Sequence, residues 1–180
     1  SAHYRTYALD SIGDIGLSVS HRNITKLDDY LNWLDEVLAV LVPEGTLSLA
    51  GISYGGGLAA QYALRFPQRL HKVVLLTPAA TVLPVSFALI FHALLTVIPR
   101  TNFRKKFYYW LLHDMMQSGE TGRARVDEAV ADWEVAERCF RPLPTIPLPV
   151  IADEALRDLR VPALFLVGEN EKIYSAHKAV

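Results

Sequence analysis

Cysteine is almost absent from this chain, with Cys139 the sole example in 180 residues. An internal disulfide is therefore excluded, and so is any metal site built on paired cysteines. A lone thiol fits a reducing, cytoplasmic setting. Charge of one sign is also lacking. A formal net charge of −1 offers nothing to a nucleic-acid backbone, and the densest basic cluster (Arg100, Arg104, Lys105, Lys106) reads as a solvated helix face. Long apolar runs are missing too. The nearest candidate, VLPVSFALIFHALLTVI at 82–98, has 17 residues, is broken by Pro84 and His92, and is closed by Pro99. A membrane-spanning helix needs roughly 20. The segment is expected instead to be a buried or pocket-lining helix. Ser1 to Asp10 is polar and mixed, without the charged-then-apolar pattern of a secretory signal.

What the chain has in plenty is apolar side chains, at 51% of residues. That is enough for a large core in one domain, or in one domain carrying an insertion. Tyr4 to Ala8 alternates weakly and predicts a strand. Leu31, Leu34, Val37, Leu38 and Leu41 recur at helical spacing, predicting an amphipathic helix over Leu27 to Val42 that Pro43-Glu44-Gly45 ends. Residues 47–50 have strand composition, Leu58 to Phe66 reads as a helix, and Val73 to Leu76 as a fully buried strand. Strand alternating with helix implies a parallel sheet with right-handed crossovers.

The alternation then breaks. From Pro78 to about Leu159 there are helical or irregular stretches only, including the apolar segment, a Tyr/Trp-rich one at 107–110, a charged helix at 123–138, and the proline-rich RPLPTIPLP at 141–149. Val161 to Val167 restores a buried strand. The simplest organisation is a core of 1–78 and 160–180, interrupted by a helical cap at 79–159.

One motif carries chemistry. Gly51-Ile52-Ser53-Tyr54-Gly55 lies between the predicted strand at 47–50 and the predicted helix from Leu58. A serine flanked by glycines between strand and helix is the pattern of a nucleophile elbow. The reversal strains the backbone at Ser53 and brings positions 51 and 55 so close that side chains there are expected to clash. The competing reading is a phosphate-cradling turn. A P-loop, however, requires Lys followed by Ser or Thr, where this chain has Leu58-Ala59-Ala60, and G-x-G-x-x-G fits poorly around Ser53.

These residues, in this order, resemble the α/β-hydrolase family. ALDSIGDIGLS is similar to the family's fourth strand and following loop, with Asp10, Gly13, Gly16 and Ser18 in the usual rhythm. GISYGG resembles the elbow, YALRFPQRLHKVVLLTPA the helix and strand after it, and LRDLRVPALFLVGENE the seventh strand and the loop bearing the triad acid. The resemblance implies an α/β fold with a mostly parallel sheet, a helical cap, and no outer strands at either end of the sheet. It implies Ser53 as nucleophile, the Tyr54 backbone N–H as an oxyanion donor, and Glu171 as the acid, standing where many members have Asp. Glu169 is the neighbouring alternative, and a solvated loop charge is the reading without function. The family's catalytic histidine follows an eighth strand, so the chain looks like the interior of a longer enzyme. His3, His71, His92, His113, His21 and His177 have no pattern marking any of them as the base.

The function so implied is a serine hydrolase cleaving a carboxylic ester or related acyl bond of a small, largely apolar substrate, with no metal or organic cofactor. Cleavage of a C–C bond by the same serine is not separated from it. A non-catalytic small-molecule-binding protein or inactive remnant on the same fold is the alternative, and peripheral membrane association through 82–98 a third. No nucleic-acid partner is expected, and the oligomeric state is left open.

Overall fold

The computed structural model describes residues 3–14, 16–19, 21, 24–96, 98, 102–140 and 145–179, apart from the side chain of Glu137. Arg100, Pro99 and positions 141–144 of the proline-rich piece lie outside the described residues.

Helix α1, Leu27–Leu41, begins where Asp29 reaches back to take hydrogen bonds from Thr25 and Lys26 N–H groups at 3.2 and 3.3 Å. Those donors hold the Asp29 carboxyl below the usual range. Tyr30, Leu31, Leu34 and Leu38 form its buried face. Strand β1 (Leu47–Ile52) runs directly into α2 (Ser53–Arg65). A short 3-10 turn, Pro67–Arg69, then leads to β2, Leu70–Leu76. Ala59, Ala60 and Ala63 let α2 lie close to the sheet, and the core forms there with Leu31, Leu34, Leu38, Tyr62, Val73 and Leu75. Tyr62 is fully buried, and its hydroxyl donates to Asp35 of α1 at 2.6 Å. Arg65 pairs with Asp28, a second tie between the two helices.

Strand β3, Ala163–Leu166, completes a parallel sheet in the order β1-β2-β3. Between β2 and β3 the chain makes α3 (Phe87–Leu95), α4 (Phe103–Leu111), α5 (His113–Gln117), α6 (Glu120–Cys139) and α7 (Asp153–Arg157), and α8 is Ala176–Ala179. Ring contacts hold the inserted helices together. His92 stacks on Trp110 with centroids 4.3 Å apart, and Tyr108 meets Trp133 at 3.7 Å.

Three expectations need correction. Tyr4 to Ala8 is not a strand: its residues are exposed and join no ladder among the described residues, and weak alternation does not make a strand without a partner edge. β3 is not buried: among the described residues it pairs with one neighbour, β2, and Leu164 is 51% exposed. The apolar segment does not form a buried helix. α3 spans nine residues, packs against α4, and leaves Phe87 91% exposed. Among the described residues, no helix is long and apolar enough to cross a membrane.

Candidate active site

Ile52 is the last residue of β1 and Ser53 the first of α2, so strand turns into helix with nothing between. The turn is made at Ser53 itself, with φ +51°, the left-handed region that a residue bearing a Cβ adopts only under strain. The predicted elbow backbone is therefore present, and the Ser53 side chain is exposed at its apex. Its carbonyl accepts from the Ala79 N–H at 2.9 Å. That bond ties the elbow to the loop after β2, where Thr77 and Ala80 also have positive φ, at +43° and +49°. Nothing in the sequence marked this loop as strained.

The glycines divide differently from expectation. A Cβ at Gly51 would lie 2.2 Å from the Gly55 carbonyl oxygen, so that position must be bare. A Cβ on Gly55 would meet nothing within 4 Å, which removes half of the expected clash. A Cβ on residue 55 would point out of the turn, whereas the Gly55 carbonyl faces Gly51. Gly56 is tight as well, with a Cβ there 2.9 Å from Pro78 Cα, and Gly57 is tighter still, where a Cβ would stand 2.4 Å from the Ala79 carbonyl oxygen and 2.5 Å from Leu148 Cδ1. Gly51→Ala and Gly57→Ala are each expected to destabilise by about 3 kcal/mol. Gly55→Ala should be neutral or stabilise by up to about 1 kcal/mol, because it sits in a helix. Urea midpoints of the three variants check this; equal losses at all three would contradict it.

Ile52, Leu76 and Leu166 are aligned across the ladder, so the loops that follow them leave the sheet at one end. Thr77 N–H donates to the Leu166 carbonyl at 2.7 Å, carrying the pairing one residue further. Two strand spacings separate β1 from β3, about 10 Å. Glu171 lies in the loop after β3, at the same sheet end as Ser53. One carboxylate oxygen, Oε1, accepts from the N–H groups of Lys172 and Ile173 at 2.7 and 2.9 Å. Oε2 takes no hydrogen bond among the described residues. Beside it Tyr174 is buried, and desolvation together with the Glu171 charge pushes its phenol up to about 12. Glu169 is exposed and has no such fixing. Asn170 donates to Asp114 of α5 at 3.0 Å, holding that carboxyl below the usual range. A cavity of about 320 Å³ opens between this loop and α4–α5, lined on one side by Leu111, Leu112 and Met115. Glu171 borders it and Ser53 does not.

The Tyr54 N–H belongs to the first turn of α2, where backbone donors have no intrahelical acceptor. It lies next to Ser53, at the open N-terminal end of the helix. No imidazole hydrogen-bonds to Ser53 or Glu171 among the described residues. His92 is stacked on Trp110, His113 faces Asp114 at 3.3 Å, and His71 stands one residue into β2, at the opposite end of the sheet.

This arrangement is shared with known proteins. The model of the alpha/beta hydrolase family matches residues 1–179. The chain belongs to that family. It is 33% identical to the uncharacterized carboxylesterase nap of Bacillus subtilis over all of its own length and 59% of that protein's. Carboxylesterase YbfK of the same organism is 28% identical over 99% of this chain and 59% of its own. The crystal structure of naproxen esterase (carboxylesterase NP) from Bacillus subtilis superimposes with a TM-score of 0.80 at 32% identity, covering 98% of this chain and 60% of that one. The chain thus spans about three fifths of the length of the relatives it matches. Its three-stranded parallel sheet is part of an alpha/beta hydrolase fold.

Proposed function

We propose that this protein is a serine hydrolase cleaving a carboxylic ester or related acyl bond of a small, largely apolar substrate through an acyl-enzyme on Ser53. The observation that carries the reading is the strained, exposed Ser53 at the start of α2, with φ +51°. A left-handed serine at a helix N-terminus costs free energy that an ordinary turn avoids, and it presents the hydroxyl beside unpaired N–H donors. Ser53 Oγ attacks the carbonyl carbon while its proton passes to a base. The carbonyl oxygen, now negative, takes a hydrogen bond from the Tyr54 N–H. Collapse expels the alcohol with that proton, and water then releases the acid.

Glu171 is the carboxylate we assign to orient the base. With Oε1 fixed by two backbone donors, Oε2 remains to receive the base's N–H. The base itself we place outside these 180 residues: His92 and His113 have other partners, His71 lies at the wrong end of the sheet, and among the described residues no imidazole hydrogen-bonds to Ser53 or Glu171. Residues 1–78 and 160–180 form the hydrolase core, and 79–159 the cap that supplies apolar walls. The carboxylesterase names of the relatives support the same reaction class. The naturally produced protein is expected to hydrolyse p-nitrophenyl esters from acetate to octanoate. Complete inactivity across that series would contradict the proposal and favour a binding protein on the same fold.

A further inference from the structure

After the undescribed residues 141–144, positions 145–151 run along one flank of α2 without regular secondary structure. The Tyr54 hydroxyl donates to the Ile146 carbonyl at 2.8 Å. Gln61 Nε2 donates to the Pro149 carbonyl at 3.1 Å. Leu148 packs over Gly57 closely enough to exclude a methyl group there. Beyond α2, the Ile151 N–H donates to the Thr81 carbonyl at 3.0 Å. Positions 54, 57 and 61 share one face of a helix, so these contacts form a single line of fasteners.

The strap needs them. Pro147 and Pro149 have no N–H, so it cannot be held by a backbone ladder. Side chains from α2 hold it instead. The Tyr54 ring is itself fixed from the other side, edge-on against Tyr30 at 6.4 Å. Burial pushes the phenol up to about 12, so it remains a donor throughout the neutral range. The residue whose N–H lies next to Ser53 thus carries, on its side chain, the nearest anchor of the strap. Ile146 is held one tyrosine length from the elbow.

We propose that Tyr54 is a positioning residue whose phenol, through the Ile146 carbonyl, holds the 145–151 strap beside Ser53 as a wall for the acyl group and thereby sets acyl-chain preference. The proposal rests on Ser53 being the nucleophile. Tyr54→Phe keeps the ring and its contact with Tyr30 while removing the bond to Ile146. Gln61→Leu loosens the same strap from a residue with no part in the chemistry.

The test uses the naturally produced protein and both variants. It measures kcat and KM for p-nitrophenyl octanoate and acetate, with mass spectrometry of a fluorophosphonate adduct at Ser53. Losing one neutral hydrogen bond should lower the octanoate-to-acetate ratio of kcat/KM by about three- to tenfold in Tyr54→Phe, through KM for octanoate. Gln61→Leu should move the ratio the same way by a smaller factor. An adduct on Ser53 with an unmoved ratio in Tyr54→Phe overturns this proposal alone. Equal losses on both esters do the same, because they describe a purely structural tyrosine. Absence of the adduct in the unmodified protein overturns the nucleophile reading, and this proposal with it.

Discussion

Ser53→Ala is expected to lower kcat/KM for every ester the protein hydrolyses by about 10⁴- to 10⁶-fold. The size of the effect follows from the role. Without Oγ there is no acyl-enzyme, and the remaining oxyanion donors and binding contacts give only a small residue of catalysis over water. The fold should not be the cause of the loss. Alanine carries the same Cβ as serine, so it meets the same left-handed backbone at φ +51° and leaves the strain where it was. Ser53→Gly supplies the contrast: it relieves that strain, and it should be equally inactive while gaining about 1 kcal/mol of stability. A protein stabilised by removing a residue essential to its chemistry would mark the strain as functional. The pair is read by ester turnover beside urea denaturation. An alanine variant retaining a tenth of the activity would exclude covalent chemistry at Ser53.

The second large effect is expected at the acid. Glu171→Gln should reduce kcat by about 10³-fold with little change in KM. Glutamine is nearly isosteric, and its amide oxygen can still accept from the Lys172 and Ile173 N–H groups that now hold Oε1 at 2.7 and 2.9 Å. The loop therefore keeps its shape, and what disappears is the negative charge stabilising the protonated base. Glu169→Gln is the internal control. Glu169 is exposed and has no backbone donors fixing it, so its replacement should alter kcat by less than about twofold. Steady-state kinetics on one ester series decides between the two glutamates. A large loss at 169 with none at 171 would transfer the assignment.

How much of this was legible in the sequence differs by feature, for physical reasons. The α1 pattern was clear because Leu31, Leu34 and Leu38 face one core at helical spacing, and the helix ends within one residue of expectation. β2 was legible as a continuous apolar run and is longer than expected, Leu70–Leu76 instead of starting at Val73. The start of α2 was misread: the glycines hid a helix that already begins at Ser53, since glycine weakens local helix preference without preventing it. Burial of β3 and α3 could not be read at all. Both are apolar, but burial depends on what packs against them, and composition says nothing of that. Within the site, the elbow was legible because its steric demand is written in five consecutive residues. The need for glycine at 57 instead of 55 was not, because the clashing atoms belong to Ala79 and Leu148, distant in sequence. The Tyr54–Ile146 bond joins residues 92 positions apart, and nothing local announces it.

The most direct test of the account is intact-mass and peptide mapping of the naturally produced protein after exposure to a serine-directed fluorophosphonate. A single adduct is expected, on the peptide containing Ser53, and it should be absent from Ser53→Ala. No adduct under conditions where the protein is folded, or an adduct that persists in Ser53→Ala, would contradict the assignment of Ser53 as the nucleophile.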